Sequence, residues 1–174
     1  EITARLLDFS RQRPVKPEVV AIHGLVHSLL PMLQRVLGTE HRLVVGTLEG
    51  AVFIDPKALE QAIVNLAANA RHAMEKGGEL HISSRLVDSP DVNDIPYLGP
   101  HVVIDIRDTG CGMPEEVLAR CFEPFYTTRQ RSSGSGMGLA MVEGLVRQAE
   151  GAITAESIIG EGTTFRMVLP ARDP

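Results

Sequence analysis

The chain has 174 residues, 44% of them hydrophobic and 22% charged, which is enough for one cored domain and too short for two comfortable ones. Its net charge of −5 excludes the lysine and arginine excess that marks a nucleic-acid surface. No apolar run approaches the roughly 18 residues that a spanning helix needs, and Glu1, Ile2 and Thr3 do not open a signal peptide, so a soluble piece is expected.

In chain order, residues 1–13 carry Ile2, Leu6, Leu7 and Phe9 at helical spacing before Pro14 and Pro17 stop the run, as in the tail of an element that begins upstream. The chain opens without Met, which suggests an excised fragment. From Ile22 to Leu37 apolar residues recur at three and four, with Gly38 as the stop, predicting an amphipathic helix. His41–Leu48 and Ala51–Asp55 are rich in β-branched residues and predict a short hairpin about Glu49 and Gly50.

The next helix is marked at both ends. Asp55 is the predicted N-cap and Pro56 the first helical residue, and the segment runs to Lys76 before Gly77 and Gly78. Leu59, Ile63, Leu66, Ala67, Ala70 and Met74 form its apolar stripe, and Gln61, Asn65, Asn69 and His72 line one flank. Residues 78–87 and 101–108 predict strands separated by a loop rich in Pro, Asp and Gly. A Gly- and Pro-rich stretch leads to a helix over 137–149. Strands over 152–157 and 163–170, joined by Ile158 to Gly162, complete a mixed order that fits an α/β sandwich with several antiparallel pairs.

Three stretches carry residues suited to chemistry. Asn65 and Asn69 project together from one helical turn; they either pair with neighbouring backbone or offer a hard amide oxygen to Mg²⁺. Asp108, Gly110 and Gly112 follow a strand, either as a plain turn or as a carboxylate that accepts from an exocyclic amine, with glycines where a flat base comes close. Phe122, Phe125 and Tyr126 precede the hydroxyls of Thr127 and Thr128, Arg129, Arg131 and the run from Gly134 to Gly138. This is either a surface loop with an apolar anchor or a lid that ends at a helix N-terminus, where phosphates bind.

The order "NLAANARHAM", "DTGCGMP", "FEPFYTT", "GSGMGL" and "GEGTTF" resembles the N, G1, F and G2 boxes and last strand of the GHKL ATP-binding superfamily, and within it the catalytic domain of bacterial sensor histidine kinases. The likeness runs from about Val15 to Pro170. It implies an α+β fold, a two-layer sandwich of the Bergerat type with a mixed β-sheet backed by helices and a mobile ATP lid over about 114–137. Residues 1–14 would be the C-terminal end of a dimerisation helix, and 15–174 the catalytic ATP-binding domain.

By that resemblance, ATP and Mg²⁺ are the expected cofactors, with the metal on Asn69 and catalysis assigned to Asn65 and Asn69. The nucleotide would be held by Asn65, Asn69, His72 and Ala73 from the helix, and by Asp108, Gly110, Gly112 and Met113 around the base. Phe125, Thr127, Thr128 and Arg129 would contribute from the lid, Gly134, Ser135, Gly136, Met137, Gly138 and Leu139 at the phosphates, and Thr163 or Thr164 from the last strand. Asn65 stands where gyrase-like relatives carry a water-activating glutamate, and an amide is no base at neutral pH. Transfer of the γ-phosphoryl group to a histidine on a separate domain is therefore favoured over hydrolysis. The alternatives are a clamp-driving ATPase and a degenerate docking domain. Two positions depart from the family: His72 replaces the usual Asp of the related branch, and Arg129 the usual Lys.

None of His23, His27, His41, His72, His81 and His101 is followed by the acidic or amide residue that marks a phosphoacceptor, so all six read as surface or packing residues. The resemblance implies two partners, the chain's own dimerisation and phosphoacceptor domain upstream and a response regulator receiver domain, with no nucleic acid and no direct membrane contact by this fragment. Cys111 and Cys121 have neither metal-ligand spacing nor the density of a disulfide scaffold. A cytoplasmic location follows, with a parent protein that can be membrane-tethered.

Overall fold

The computed structural model describes residues 16–88, 99–128 and 136–173. The expected dimerisation tail over 1–14 lies outside the described residues, as do Arg129, Gly134 and Ser135 of the expected lid. In order, the elements are β1 (Glu18–Ala21), α1 (Ile22–Leu37), β2 (His41–Val45), β3 (Ala51–Ile54), α2 (Pro56–Ala73), β4 (Gly78–Val87), β5 (His101–Asp108), α3 (Glu115–Leu118), α4 (Gly138–Gln148), β6 (Ala152–Ile158) and β7 (Gly162–Arg172).

The strands make one mixed sheet in the order β1-β3-β7-β5-β4-β2, with β6 also paired to β7. Among the described residues β2 and β4 run parallel and the other pairs are antiparallel. Because side chains alternate across a strand, register decides which residues meet the helices. Ile82 opposes Ile106 and Ser84 opposes Ile104 between β4 and β5. On the same rows Ile106 meets Phe165, Ile104 meets Met167 and Val102 meets Leu169 in β7. These residues are buried and form the floor of the core. The row ends in two polar groups, since Asp108 opposes Thr163 on this same face.

The helices cover that floor. α1 buries Ile22, Leu25, Val26, Leu29, Leu33 and Leu37 along one stripe, and Pro31 is accommodated on its exposed side. α2 begins as its sequence predicts: Asp55 Oδ1 accepts from the backbone N–H of Lys57 at 2.9 Å and of Ala58 at 3.3 Å. Asp55 Oδ2 accepts from the backbone N–H of Lys16, and these bonds, led by that of Lys16, hold the carboxyl below its usual range. The whole predicted stripe from Leu59 to Met74 is buried. On the opposite face of the sheet an ion-pair row joins Arg85, Asp105, Arg166 and Glu156 across four strands.

Three expectations need correction. The predicted hairpin does not form: β2 pairs with β4 at one edge, whereas β3 pairs with β1 and β7 near the other. The link between them crosses the sheet end, with Gly46 N–H bonded to Ile82 O, Ser84 N–H to Thr47 O and Ile22 N–H to Gly50 O. The helix predicted to Lys76 stops at Ala73, where Met74 leaves helical geometry with φ −107° and ψ 48°. Finally, β1 and the single turn of α3 were not foreseen, since four residues are too few to display a period.

Candidate functional site

At the end of the sheet where β5 finishes and β7 begins, α2, the loop after β5, the segment 121–128 and the start of α4 enclose a cleft of about 770 Å³. α2 supplies one wall. Asn65, Asn69, His72 and Ala73 all line the cleft, as their spacing of four, three and one along one helix flank requires. Gln61 Nε2 donates to Asn65 Oδ1 at 3.0 Å, which orients the Asn65 amide on the cleft wall.

The floor is Asp108. Its place on the core face leaves it only 4% exposed, and desolvation raises its pKa above the ordinary aspartate value. The backbone N–H groups of Gly110 and Thr163 both donate to Oδ1, at 2.8 and 3.3 Å, and partly offset that burial. Oδ2 has no hydrogen-bond partner among the described residues. The site therefore holds a carboxylate oriented by one oxygen and available through the other. Beside it Thr163 Oγ1 lies 2.9 Å from Ser157 Oγ, and Ser157 accepts from Met113 N–H at 2.8 Å. Ser157 thus ties the loop after β5 to β7, a role for which the sequence carries no signal.

The two glycines of that loop differ. Gly112 lines the cleft with φ +69°, and a Cβ there would fall 2.1 Å from Ile158 O. Gly110 does not line the cleft, contrary to expectation. A Cβ on it would lie 2.7 Å from both Cβ and O of Ala73, and Cys111 N–H bonds Ala73 O, so its missing side chain lets the loop pack against the end of α2.

Thr127, Thr128, Gly136, Gly138 and Leu139 line the far wall together with Met113. Phe125 is displaced from its expected place. Its φ of +65° and the bond from its N–H to Gly136 O turn the ring outward, where it is 74% exposed. Met137 is not among the lining residues either; it is the residue before α4, and among the described residues no side chain caps that helix. Gly138 opens α4, and a Cβ built on it meets nothing within 4 Å among the described residues, so the N–H groups of the first helical turn border the cleft.

Residues that the sequence reading did not assign also reach the cleft. Tyr126 does so with the Arg120 guanidinium 4.3 Å over its ring, and Arg120 in turn pairs with Glu123. Cys111 and Cys121 both line it; burial pushes the Cys121 thiol up to about 11, whereas Cys111 is exposed. Among the described residues no group of three or more His, Cys, Asp and Glu could hold a metal ion, and no helix is long and apolar enough to cross a membrane.

A family profile described as "Histidine kinase-, DNA gyrase B-, and HSP90-like ATPase" matches residues 54–173. The sensor kinase CckA of Brucella abortus is 37% identical over 175 residues, which cover 97% of this chain and 18% of that protein. The chain thus spans less than a fifth of that relative's length. Among solved structures, the mycobacterial sensor histidine kinase MprB superposes with a TM-score of 0.75 at 24% identity, covering 91% of this chain and all of that one. Full-length ShkA in complex with AMPPNP gives a TM-score of 0.68 at 23% identity, covering 94% of this chain and 32% of that one.

Proposed function

From the premise that the chain belongs to the family of histidine kinase-, DNA gyrase B- and HSP90-like ATPases, we propose that it is the ATP-binding catalytic domain of a two-component sensor histidine kinase. It transfers the γ-phosphoryl group of ATP to a histidine of a dimerisation domain, from which a response regulator takes it. The reading places the domain in the cytoplasm, where its nucleotide is. The observation that carries it is Asp108, a carboxylate only 4% exposed whose Oδ1 is held by two backbone N–H groups and whose Oδ2 is left for a ligand. An acceptor in that position selects an exocyclic amine such as that of adenine and repels a carbonyl. Two names support the reading: CckA is a sensor kinase, and ShkA binds AMPPNP, an ATP analogue.

Each wall then has a task. The start of α4, which no described side chain caps and where Gly138 carries no Cβ, suits a phosphate chain. Asn69 stands on the cleft wall, and an amide oxygen is a donor suited to Mg²⁺, which keeps waters and shares phosphate oxygens. When bound, such an ion neutralises charge on the β- and γ-phosphates. Asn65 carries an amide, which is no base at neutral pH and does not remove a proton from water. The acceptor must bring its own nucleophile, and an imidazole nitrogen does so: the new P–N bond forms as the bond to the β,γ-bridging oxygen breaks, and its electron pair leaves on ADP.

The test joins this chain to its upstream dimerisation segment and follows γ-labelled ATP. Acid-labile, base-stable label on the protein is expected, and release of inorganic phosphate without protein label contradicts the proposal.

A further inference from the structure

Away from the cleft, two imidazoles meet on the exposed side of α1. His23 and His27 are one helical turn apart, with ring centroids 4.3 Å from each other and planes tilted by 42°. Both residues are exposed. Neither ring makes a hydrogen bond or an ion pair among the described residues. The backbone beneath them is anchored, because Ile22, Leu25, Val26 and Leu29 on the other side of the same turns are buried in the core. The pair is therefore carried on a backbone held by the fold and has no partner among the described residues that competes for its nitrogens.

We propose that His23 and His27 form a chelating site for a transition-metal dication, of the class of Zn²⁺ and Cu²⁺, separate from the nucleotide cleft. Residues at i and i+4 share a helix face, and neutral imidazole is a ligand suited to zinc, copper and nickel. Two metal–nitrogen bonds of about 2.0–2.1 Å need donor nitrogens roughly 3 Å apart, which rings already 4.3 Å apart reach by rotation about their side-chain torsions. No third His, Cys, Asp or Glu completes a cluster there among the described residues, so water or an external ligand fills the other positions. A site of two nitrogens with no oxygen ligand from the protein rejects Mg²⁺, which prefers oxygen. The two sites thus sort cations by donor chemistry: amide and phosphate oxygen at Asn69, imidazole nitrogen on α1.

The test uses the 174-residue chain without a polyhistidine tag. Calorimetry with Zn²⁺ alone is expected to show a site that survives excess Mg²⁺ and that His23→Ala and His27→Ala each weaken about tenfold or more, equivalent to at least one 1.4 kcal/mol step. Both side chains are exposed, so the variants keep the fold, which circular dichroism checks. Cu²⁺ alone, read by electron paramagnetic resonance, is expected to carry hyperfine structure from two imidazole nitrogens in the parent and one in either variant. Unchanged Zn²⁺ affinity in either single variant, displacement by Mg²⁺, or one nitrogen in the parent spectrum overturns the proposal.

Discussion

Replacing Asp108 by Asn separates binding from folding. In the unliganded domain the carboxylate is desolvated, and its pKa is raised accordingly. A group with a raised folded pKa favours the native state below that pKa through its neutral form, and this contribution fades as pH rises and the buried charge appears. Asn is neutral throughout and its oxygen can keep the N–H bonds of Gly110 and Thr163, so Asp108→Asn is expected to match or exceed the parent in thermal stability at neutral pH. Binding moves the other way. The Asn amide turns a donor toward the adenine amine, and a charge-assisted hydrogen bond of about 1.5–3 kcal/mol is lost. That corresponds to about 10- to 150-fold in Kd for the ATP analogue by calorimetry. Guanine presents a carbonyl at the same edge, so its nucleotide is expected to lose less or to gain. Acidification through the raised pKa of Asp108 should weaken ATP binding in the parent and leave the variant flat. A variant that binds ATP and GTP as the parent does refutes this account of the base pocket.

Other changes isolate other walls. Asn69→Ala is expected to remove the Mg²⁺-dependent part of ATP affinity, so that titrations with and without chelator coincide; a persisting Mg²⁺ effect contradicts the assignment. Gly112→Ala combines φ +69° with a Cβ 2.1 Å from Ile158 O, and should cost about 1–3 kcal/mol, a fall of several degrees in Tm. Gly138→Ala meets nothing within 4 Å among the described residues and should leave Tm unchanged or higher, so equal falls in both variants would undo the distinction drawn between them. Iodoacetamide at neutral pH is expected to label exposed Cys111 and spare Cys121, whose thiol sits near 11, and ATP should slow the labelling because Cys111 lines the cleft.

Much of this was legible in the sequence because the decisive signals are local. Asp55 and Pro56 announce the start of α2, and its stripe and polar flank separate at one period, which is why Asn65, Asn69 and His72 share the cleft wall. β4 and β5 fall where they are predicted, over 78–87 and 101–108. The failures are non-local. β2 and β3 are neighbours in the chain, yet β2 pairs with β4 at one edge of the sheet and β3 with β1 and β7 near the other, and no turn residue encodes that crossing. Gly110 and Gly112 look alike in the sequence, but one is small because Ala73 packs against it and the other because Ile158 O does. Phe125 carries the composition of a pocket residue, and only its left-handed backbone reveals that the ring faces solvent.

The most direct measurement is a crystal structure of the chain with Mg²⁺ and AMPPNP. The account predicts the adenine amine within hydrogen-bond distance of Asp108 Oδ2, the phosphates at the start of α4 and the ion on the Asn69 oxygen. An analogue bound elsewhere, or an adenine whose amine faces away from Asp108, contradicts it.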